Sequence, residues 1–323
     1  MREFAKPRVV VSKCLEFDAC RYNGERIPDK LIAKLEQYVE FIPICPEVEI
    51  GLGTPREVIR LVATGEQTTL VQPNTNQDLT EKMNEFSEEY LHTLTEIDGF
   101  ILKTRSPSCG LFDAKVYSGI EKAPVVRTES GIFTARVKEH FPLTAKEDEG
   151  RLKNFTVREH FLTRLFTIAE FRVVKKEHSI SKLMQFQAKN KYLFMAVHQD
   201  SMRKLGRIVA NHEKEEEKIV FQKYEEELQT LFSRIPKLTD HINVCQHVFG
   251  YFSKHLTKAE KDHFLIALDQ YKEQKIPLSS VLTMLRSWSY RFENDYLLSQ
   301  NYFTPYPEDL VAISDSGKGR SLS

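Results

Sequence analysis

The sequence predicts an α/β parallel-sheet (Rossmann/flavodoxin-like) N-terminal domain followed by an all-α C-terminal domain. Three observations carry that expectation. Over the first half, short apolar runs alternate with segments of helical spacing, the rhythm of βαβ units and a parallel sheet. Three cysteines, Cys14, Cys45 and Cys109, each follow one of those apolar runs. From about Leu152 the strand-like runs stop, and residues 152–300 hold few glycines and only Pro236 and Pro277 as prolines.

In chain order, Val9–Ser12 reads as a strand and Asp29–Tyr38 as a helix, with Leu31, Ile32, Leu35 and Tyr38 on one face. Phe41–Ile44 is a second strand, and Arg56–Leu61 begins a short apolar segment. Leu79–Ile97 is a long amphipathic helix and Gly99–Lys103 a third strand, while Val125–Val126 starts a further element. The domains expected are 1–155, an α/β unit, and 156–313, a helical unit, with a disordered tail over 314–323 rich in Ser, Gly and charge. Glu213–Lys218 and Glu225–Glu227 are charge runs that read as the solvated face of one long helix.

The chain has 323 residues, 41% hydrophobic and 28% charged, which suits a two-domain soluble protein. No run reaches the roughly 18 apolar residues of a membrane helix, so no membrane partner is expected. The start, Met1–Pro7, lacks the apolar stretch of a secretory signal. Five cysteines do not make a secreted disulfide framework, and reduced thiols in the cytoplasm are the expectation. Net charge is zero; residues 1–165 carry 23 basic and 26 acidic side chains, leaving the slight positive excess to the second half. That asymmetry is too small to establish a nucleic-acid partner and only says which half would hold one.

Loops leaving the carboxyl ends of parallel strands meet in one crevice, so thiols from three strand ends could converge there. Three thiolates are one fewer than a closed zinc or iron-sulfur site uses, which would leave the metal an open position. Each cysteine alone is more often a small buried hydrophobe than a ligand, and no Cys-x-x-Cys spacing supports a local metal motif. Glu47, two residues past Cys45, could lie beside a bound metal, or simply pair with Arg56. Ser106 stands in the tight turn Ser106-Pro107-Ser108-Cys109-Gly110. Asn23-Gly24 signals a turn after Cys20, which is a weaker ligand candidate than Cys14, and Cys245 reads as core.

Taken together, Val11-Ser12-Lys13-Cys14-Leu15 with Cys20-Arg21-Tyr22-Asn23-Gly24, then Cys45-Pro46-Glu47 with Gly51 and Thr54-Pro55-Arg56, then Lys103 with Ser106-Pro107-Ser108-Cys109-Gly110 resemble the signature of the thiouracil desulfidase family. The match spans about residues 7–150. The second half resembles the helical domain fused to such a module in tRNA 4-thiouridine desulfidases of the RudS type, through His178-Ser179, Lys191-Tyr192-Leu193, Gly206–Ala210 and His255-Leu256-Thr257. The resemblance implies that Cys14, Cys45 and Cys109 hold a [4Fe-4S] cluster with one iron free of protein ligand. It implies Glu47 as the acid/base carboxylate and Ser106 as the assisting hydroxyl. The implied reaction is hydrolytic C–S cleavage, 4-thiouridine in tRNA becoming uridine with release of sulfide. Ile50 departs from the pattern, standing where a small residue is expected beside Gly51.

From Arg172 to Arg207 there are nine basic residues against Glu177 and Asp200. His178, Lys182, Gln185 and Lys189 are spaced to share a helix face, and Arg203, Lys204 and Arg207 follow. Such a stripe could hold RNA phosphates, with RNA and not DNA as the expected partner, or it could be a solvated helix face. Trp288, Tyr290 and Phe292 read as packing residues rather than a base-stacking platform. Two rivals stand beside tRNA desulfidation: the same chemistry on free thiouracil-type bases with the helical domain for dimerisation, and a non-catalytic RNA-binding protein with a structural metal. A monomer and a dimer are both compatible with the sequence.

Overall fold

The computed structural model describes residues 3–142 and 144–311, so the 314–323 tail lies outside the described residues. The chain divides into two compact units: one runs to Ala169 and takes in the chain again from Asp309, and the other is Glu170–Glu308.

In the first unit the elements follow in the order β1 (Arg8–Ser12), α1 (Lys30–Leu35), β2 (Glu40–Ile44), α2 (Pro46–Glu49), β3 (Arg60–Thr64), β4 (Gln67–Gln72), β5 (Gln77–Asp78), α3 (Thr80–Thr93), β6 (Gly99–Leu102), β7 (Ala114–Tyr117), β8 (Val125–Glu129), α4 (Ile132–His140) and β9 (Ala145–Asp148). β1 is central to a four-stranded parallel sheet of order β2-β1-β6-β9. Val9, Val10 and Val11 are wholly buried, as the continuous apolar run of a strand covered on both faces requires. The strand order reverses between β1 and β6, which makes their carboxyl ends the switch point of the sheet.

Several helix ends and faces follow from the sequence. Asp29 caps α1 by accepting from the backbone N–H groups of Leu31 and Ile32. α3 buries Met83, Ser87 and Leu91, one residue per turn along a single stripe. The helix expected over Leu79–Ile97 is therefore real but shorter.

A second, five-stranded mixed sheet of order β5-β4-β3-β7-β8 adds to the parallel sheet that the sequence predicts. Its β8 is exposed at four of five positions and so lacks the buried run that marks a strand. β3 and β4 are joined through Gly65 in the left-handed region (φ 65°), the conformation that a tight hairpin connection demands. The Arg56–Leu61 segment mostly precedes β3, and Val125–Val126 opens β8.

α5 (Phe155–Lys176) starts in the first unit, and the division between units falls inside it. The second unit continues with α6 (Ile180–Val197), α7 (Gln199–Ala210), α8 (Glu217–Phe232), α9 (Leu238–Gly250), α10 (Lys258–Lys272), α11 (Leu278–Arg291) and α12 (Asp295–Leu298). α8 buries Val220, Tyr224, Leu228 and Leu231 on one stripe, and Tyr224 donates from its hydroxyl to Gln187 at 2.6 Å. Thr257 closes a capping box with Glu260 at the start of α10. Trp288 packs against Phe249 and Phe264 as a core residue, whereas Tyr290 is exposed. Glu213–Glu216 precedes α8 instead of lying on it, because Asn211 (φ 44°) and Lys214 (φ 55°) turn the chain there. No helix among the described residues is long and apolar enough to cross a membrane.

Candidate active site

The order β2-β1-β6 brings three strand ends side by side, and the chain leaving each carries a thiol. Cys14 follows β1. Cys45 directly follows β2 and is the N-cap of α2, whose first residue, Pro46, suits a position with no hydrogen-bond partner for an N–H. Cys109 lies in the loop after β6, and Thr134 at the start of α4 holds its carbonyl at 2.8 Å. All three are buried and free. Ser12 ties the first and third strand ends by accepting the Lys103 N–H at 2.9 Å.

Cys20, which the sequence offered only as a weaker ligand candidate than Cys14, joins this group. The turn through Gly24 (φ 72°) folds the chain back so that Cys20 lies within hydrogen-bonding reach of both Cys14 and Cys45. Its backbone carbonyl is also 3.8 Å from Cys45 Sγ. Cys245 is buried in α9, 4.0 Å from the Tyr302 hydroxyl, as a core residue.

Glu47 projects from the first turn of α2 into the same site. Arg56 grips Oε2 through Nε at 3.0 Å and through Nη2, and Arg56 Nη1 donates to the carbonyls of Cys20 (2.8 Å) and Gly53 (2.9 Å). The pair is nearly closed off from solvent, with side-chain exposures of 3% for Arg56 and 13% for Glu47. Oε1 accepts from Ser108 Oγ at 2.6 Å and from Ser106 Oγ at 3.3 Å. Ser106 Oγ also accepts the N–H groups of Ser108 (3.2 Å) and Cys109 (3.0 Å), so it shapes the cysteine loop. Ser108 is thus the hydroxyl nearest the carboxylate, a residue that the sequence reading quoted in its motif without assigning a role. The Ser-x-Ser spacing is the signal that could have found it. Ile50 is buried at the C-cap of α2.

Cys20, Cys45 and Cys109 resist ionisation unaided. Hydrogen bonding to Cys14 pushes Cys20 up to about 11, contact with Cys20 and burial push Cys45 well above the usual thiol range, and burial pushes Cys109 to about 12. A group of buried sulfur donors that is costly to charge alone fits a soft, thiophilic metal centre, which binds thiolates and offsets their desolvation. A second donor set lies on α3 and α4: ligand atoms of Glu88, His92 and His140 sit within 4.8 Å of one another and are capable of holding a metal ion. There His140 Nε2 meets Glu88 Oε2 at 2.7 Å, and His92 Nδ1 is 2.7 Å from the Glu88 carbonyl.

The cationic residues singled out in the helical unit are all exposed, on α6 (Lys182, Lys189) and α7 (Arg203, Lys204, Arg207). Three of them face carboxylates: Lys182 with Glu177 (3.5 Å), Arg203 with Asp200 (3.5 Å) and Lys204 with Glu227 (3.7 Å). His178 does not share their helix face. It stands before α6 in the left-handed region (φ 47°), and Ser179 caps the helix.

Comparison with known proteins adds the family. A family model described as 2-thiouracil desulfurase matches residues 9–149. The protein YbbK of Bacillus subtilis is 33% identical over 138 residues, 41% of this chain and 89% of that protein. The chain belongs to the 2-thiouracil desulfurase family. A second model, described as a protein of unknown function (DUF1722), matches residues 191–307 of this desulfurase-family chain. YbgA of Escherichia coli is 29% identical over 159 residues, 48% of this chain and 93% of that protein. A solved structure of a [4Fe-4S]-dependent thiouracil desulfidase, TudS, aligns at 25% identity over 46% of this chain and 93% of its own, with a TM-score of 0.35.

Proposed function

We propose that this chain is a desulfidase of thiolated uracil: it replaces the thiocarbonyl sulfur by oxygen, consuming one water and releasing one hydrogen sulfide. The observation that carries the reading is a largely enclosed carboxylate, Glu47, held by two serine hydroxyls and an arginine beside a group of strand-end thiols. Membership of a family described by thiouracil desulfuration supports it.

Cys14, Cys45 and Cys109 would hold a [4Fe-4S] cluster. When bound, such a cluster supplies a Lewis-acidic iron, free of protein ligand, for the substrate sulfur. The chain's own residues handle water and protons. A carboxylate has about four lone-pair sites, and the contacts from Arg56 Nε, Arg56 Nη2, Ser108 and Ser106 fill those of Glu47. To accept a water, Glu47 must release one contact. The Ser106 contact is the longest of those to Oε1, and Ser106 has Ser108 Oγ at 2.9 Å as an alternative partner. Glu47 Oε1 then takes a proton as the water oxygen attacks the thiocarbonyl carbon. Ser108 stays on the carboxylate and orients it. Glu47 returns that proton to the departing sulfur, the second proton of the water passes from the new C–OH to the same sulfur as the C–S bond breaks, and sulfur leaves as hydrogen sulfide with no net electron transfer.

The finer reading is that the base is 4-thiouridine in tRNA, becoming uridine. The exposed cations of α6 and α7 support it, since an enzyme acting on a base in folded RNA must grip the RNA and receive the base unstacked. The family description favours a second reading, free thiouracil as substrate. Anaerobically reconstituted protein should be brown and remove the thionucleoside absorbance from bulk tRNA. Cys14→Ser, Cys45→Ser and Cys109→Ser should lose iron and activity, while Cys20→Ser and Cys245→Ser keep their iron. Turnover of free 4-thiouracil but never of tRNA selects the second reading, and a fully loaded protein inert toward both refutes the proposal.

A further inference from the structure

Where α3 and α4 end, two imidazoles and a carboxylate come together. Glu88 and His92 are four residues apart and share a face of α3, and His140 is the last residue of α4. The two rings meet edge-on with centroids 4.8 Å apart. One ligand atom from each of the three residues lies within 4.8 Å of the others. A zinc ion with bonds of about 2.0–2.1 Å sets its tetrahedral ligands roughly 3.4 Å apart. Small side-chain rotations therefore close the set around one ion.

Hydrogen bonding prepares the donors. His92 Nδ1 is 2.7 Å from the Glu88 carbonyl, which can only accept, so the neutral ring carries its proton there and leaves the Nε2 lone pair for a metal. A backbone carbonyl on the far nitrogen is the usual orienting contact of a metal-bound histidine. His140 Nε2 faces Glu88 Oε2 at 2.7 Å, and a dication binding both atoms replaces the proton they share. Arg136 is a nearby cation, 3.6 Å from Glu88 Oε1, but it also pairs with Glu139 at 2.7 Å and donates to Asn84 at 3.1 Å. Glu139 thus offsets the guanidinium, and the Glu88 charge is left for a metal. Two imidazoles with one carboxylate suit zinc, whereas magnesium and calcium favour oxygen donors throughout.

We propose that Glu88, His92 and His140 bind one zinc ion, which fastens the end of α3 to the end of α4. The ion is structural, and the site shares no residue with the desulfidase reading. Its place in the fold gives it a purpose. The other end of α4 carries the Cys109 loop, through Thr134 on the Cys109 carbonyl and the backbone of Ile132 on Pro107. Phe133 and Val137 bury the inner face of α4, with Tyr90 of α3 against the Phe133 ring at 6.2 Å. A tie at His140 therefore secures, from its far end, the helix on which that loop rests.

The test counts metal in the full chain. Protein loaded with iron under anaerobic conditions would be dialysed to equilibrium against micromolar zinc, and zinc and iron measured per chain by mass spectrometry. Wild type should hold one more zinc than His92→Gln or His140→Gln, with equal iron in all three proteins. Zinc taken up by the thiols is common to the three and drops out of the difference, so the count is decisive for this site even if the cluster assignment fails. At a free zinc concentration about a hundred times the dissociation constant, the N-terminal unit's melting transition should rise by roughly 5–10 °C more in wild type than in either variant. His92 is exposed, and a zinc-free melting point equal to wild type confirms that its variant is folded. Equal zinc in wild type and both variants would overturn the site. Retention of iron(II) at these residues in preference to zinc would overturn the assignment of the metal.

Discussion

Replacing Gly131 by alanine tests whether the Cys109 loop is held in place by close backbone packing. Gly131 is the N-cap of α4, with φ −61° and ψ 157°, angles that alanine adopts freely, so conformational freedom is not the reason for glycine here. Contact is the reason. A Cβ at this position would fall within the Ser108 carbonyl and 2.8 Å from the Pro107 oxygen, roughly 0.6 Å inside the 3.4 Å limit of ordinary contact. The obstructing atoms are backbone, which cannot swing away. The start of α4 is locked to the loop by Gly131 N–H to Gly110 O (2.8 Å), Ile132 N–H to Pro107 O (3.1 Å) and Thr134 N–H to Ser108 O (3.2 Å). Losing two of these costs about 1 kcal/mol each, and overpacking adds about 1–2 kcal/mol. The expected loss is about 3 kcal/mol, a fall of roughly 6–12 °C in the N-terminal unit's melting transition. Displacing Ser108 and Cys109 by about an ångström should also lower kcat roughly 100-fold. Calorimetry, iron content and turnover measured together check this. A melting point within a degree of wild type, with full iron and normal kcat, would refute the packing argument.

Other substitutions separate roles within the site. Ser108→Ala removes the shortest contact to Glu47 and should lower kcat about 10- to 100-fold with little change in melting temperature, whereas Ser106→Ala strips the acceptor from two loop N–H groups and should cost about 1–3 kcal/mol of stability and reduce iron retention. Equal kinetic and thermal effects of the two would contradict the division. Arg56→Met leaves Glu47 buried without its partner and should destabilise by about 3–5 kcal/mol in urea unfolding; adding Glu47→Gln should restore part of the loss. In the helical unit, burial lowers the His241 pKa from 6.5 to about 4, so the folded state refuses a proton that the unfolded chain takes up. The resulting stability is present above pH 6.5 and lost as pH falls towards 4, at most about 3 kcal/mol, and His241→Asn should flatten that part of the pH–melting curve.

The sequence was informative wherever one local pattern has one physical meaning. Val9–Ser12 must be a buried strand because only a strand covered on both faces uses such a run, and its parallel neighbours β2 and β6 read the same way. The helical half was legible from apolar stripes such as that of α8. β8 was not, since an exposed edge strand has no apolar run, and the mixed sheet was missed with it. The extent of the helical stripe was misjudged at His178 because a left-handed residue breaks periodicity without changing composition.

For the site, the order of the chain determined which residue types were available: three strand-end cysteines, a carboxylate near one of them, and serines near another. Tertiary structure decided which of them meet. Cys20 joins Cys14 and Cys45 through a turn, Ser108 outreaches Ser106 towards Glu47, and Arg56 closes on the carboxylate from across its own loop. Those contacts depend on ångström-scale positions fixed by strand order and backbone packing, such as that of Gly131 on the Cys109 loop. Spacing along a chain fixes which face of an element a side chain takes, but distances between separate loops arise only when the sheet assembles.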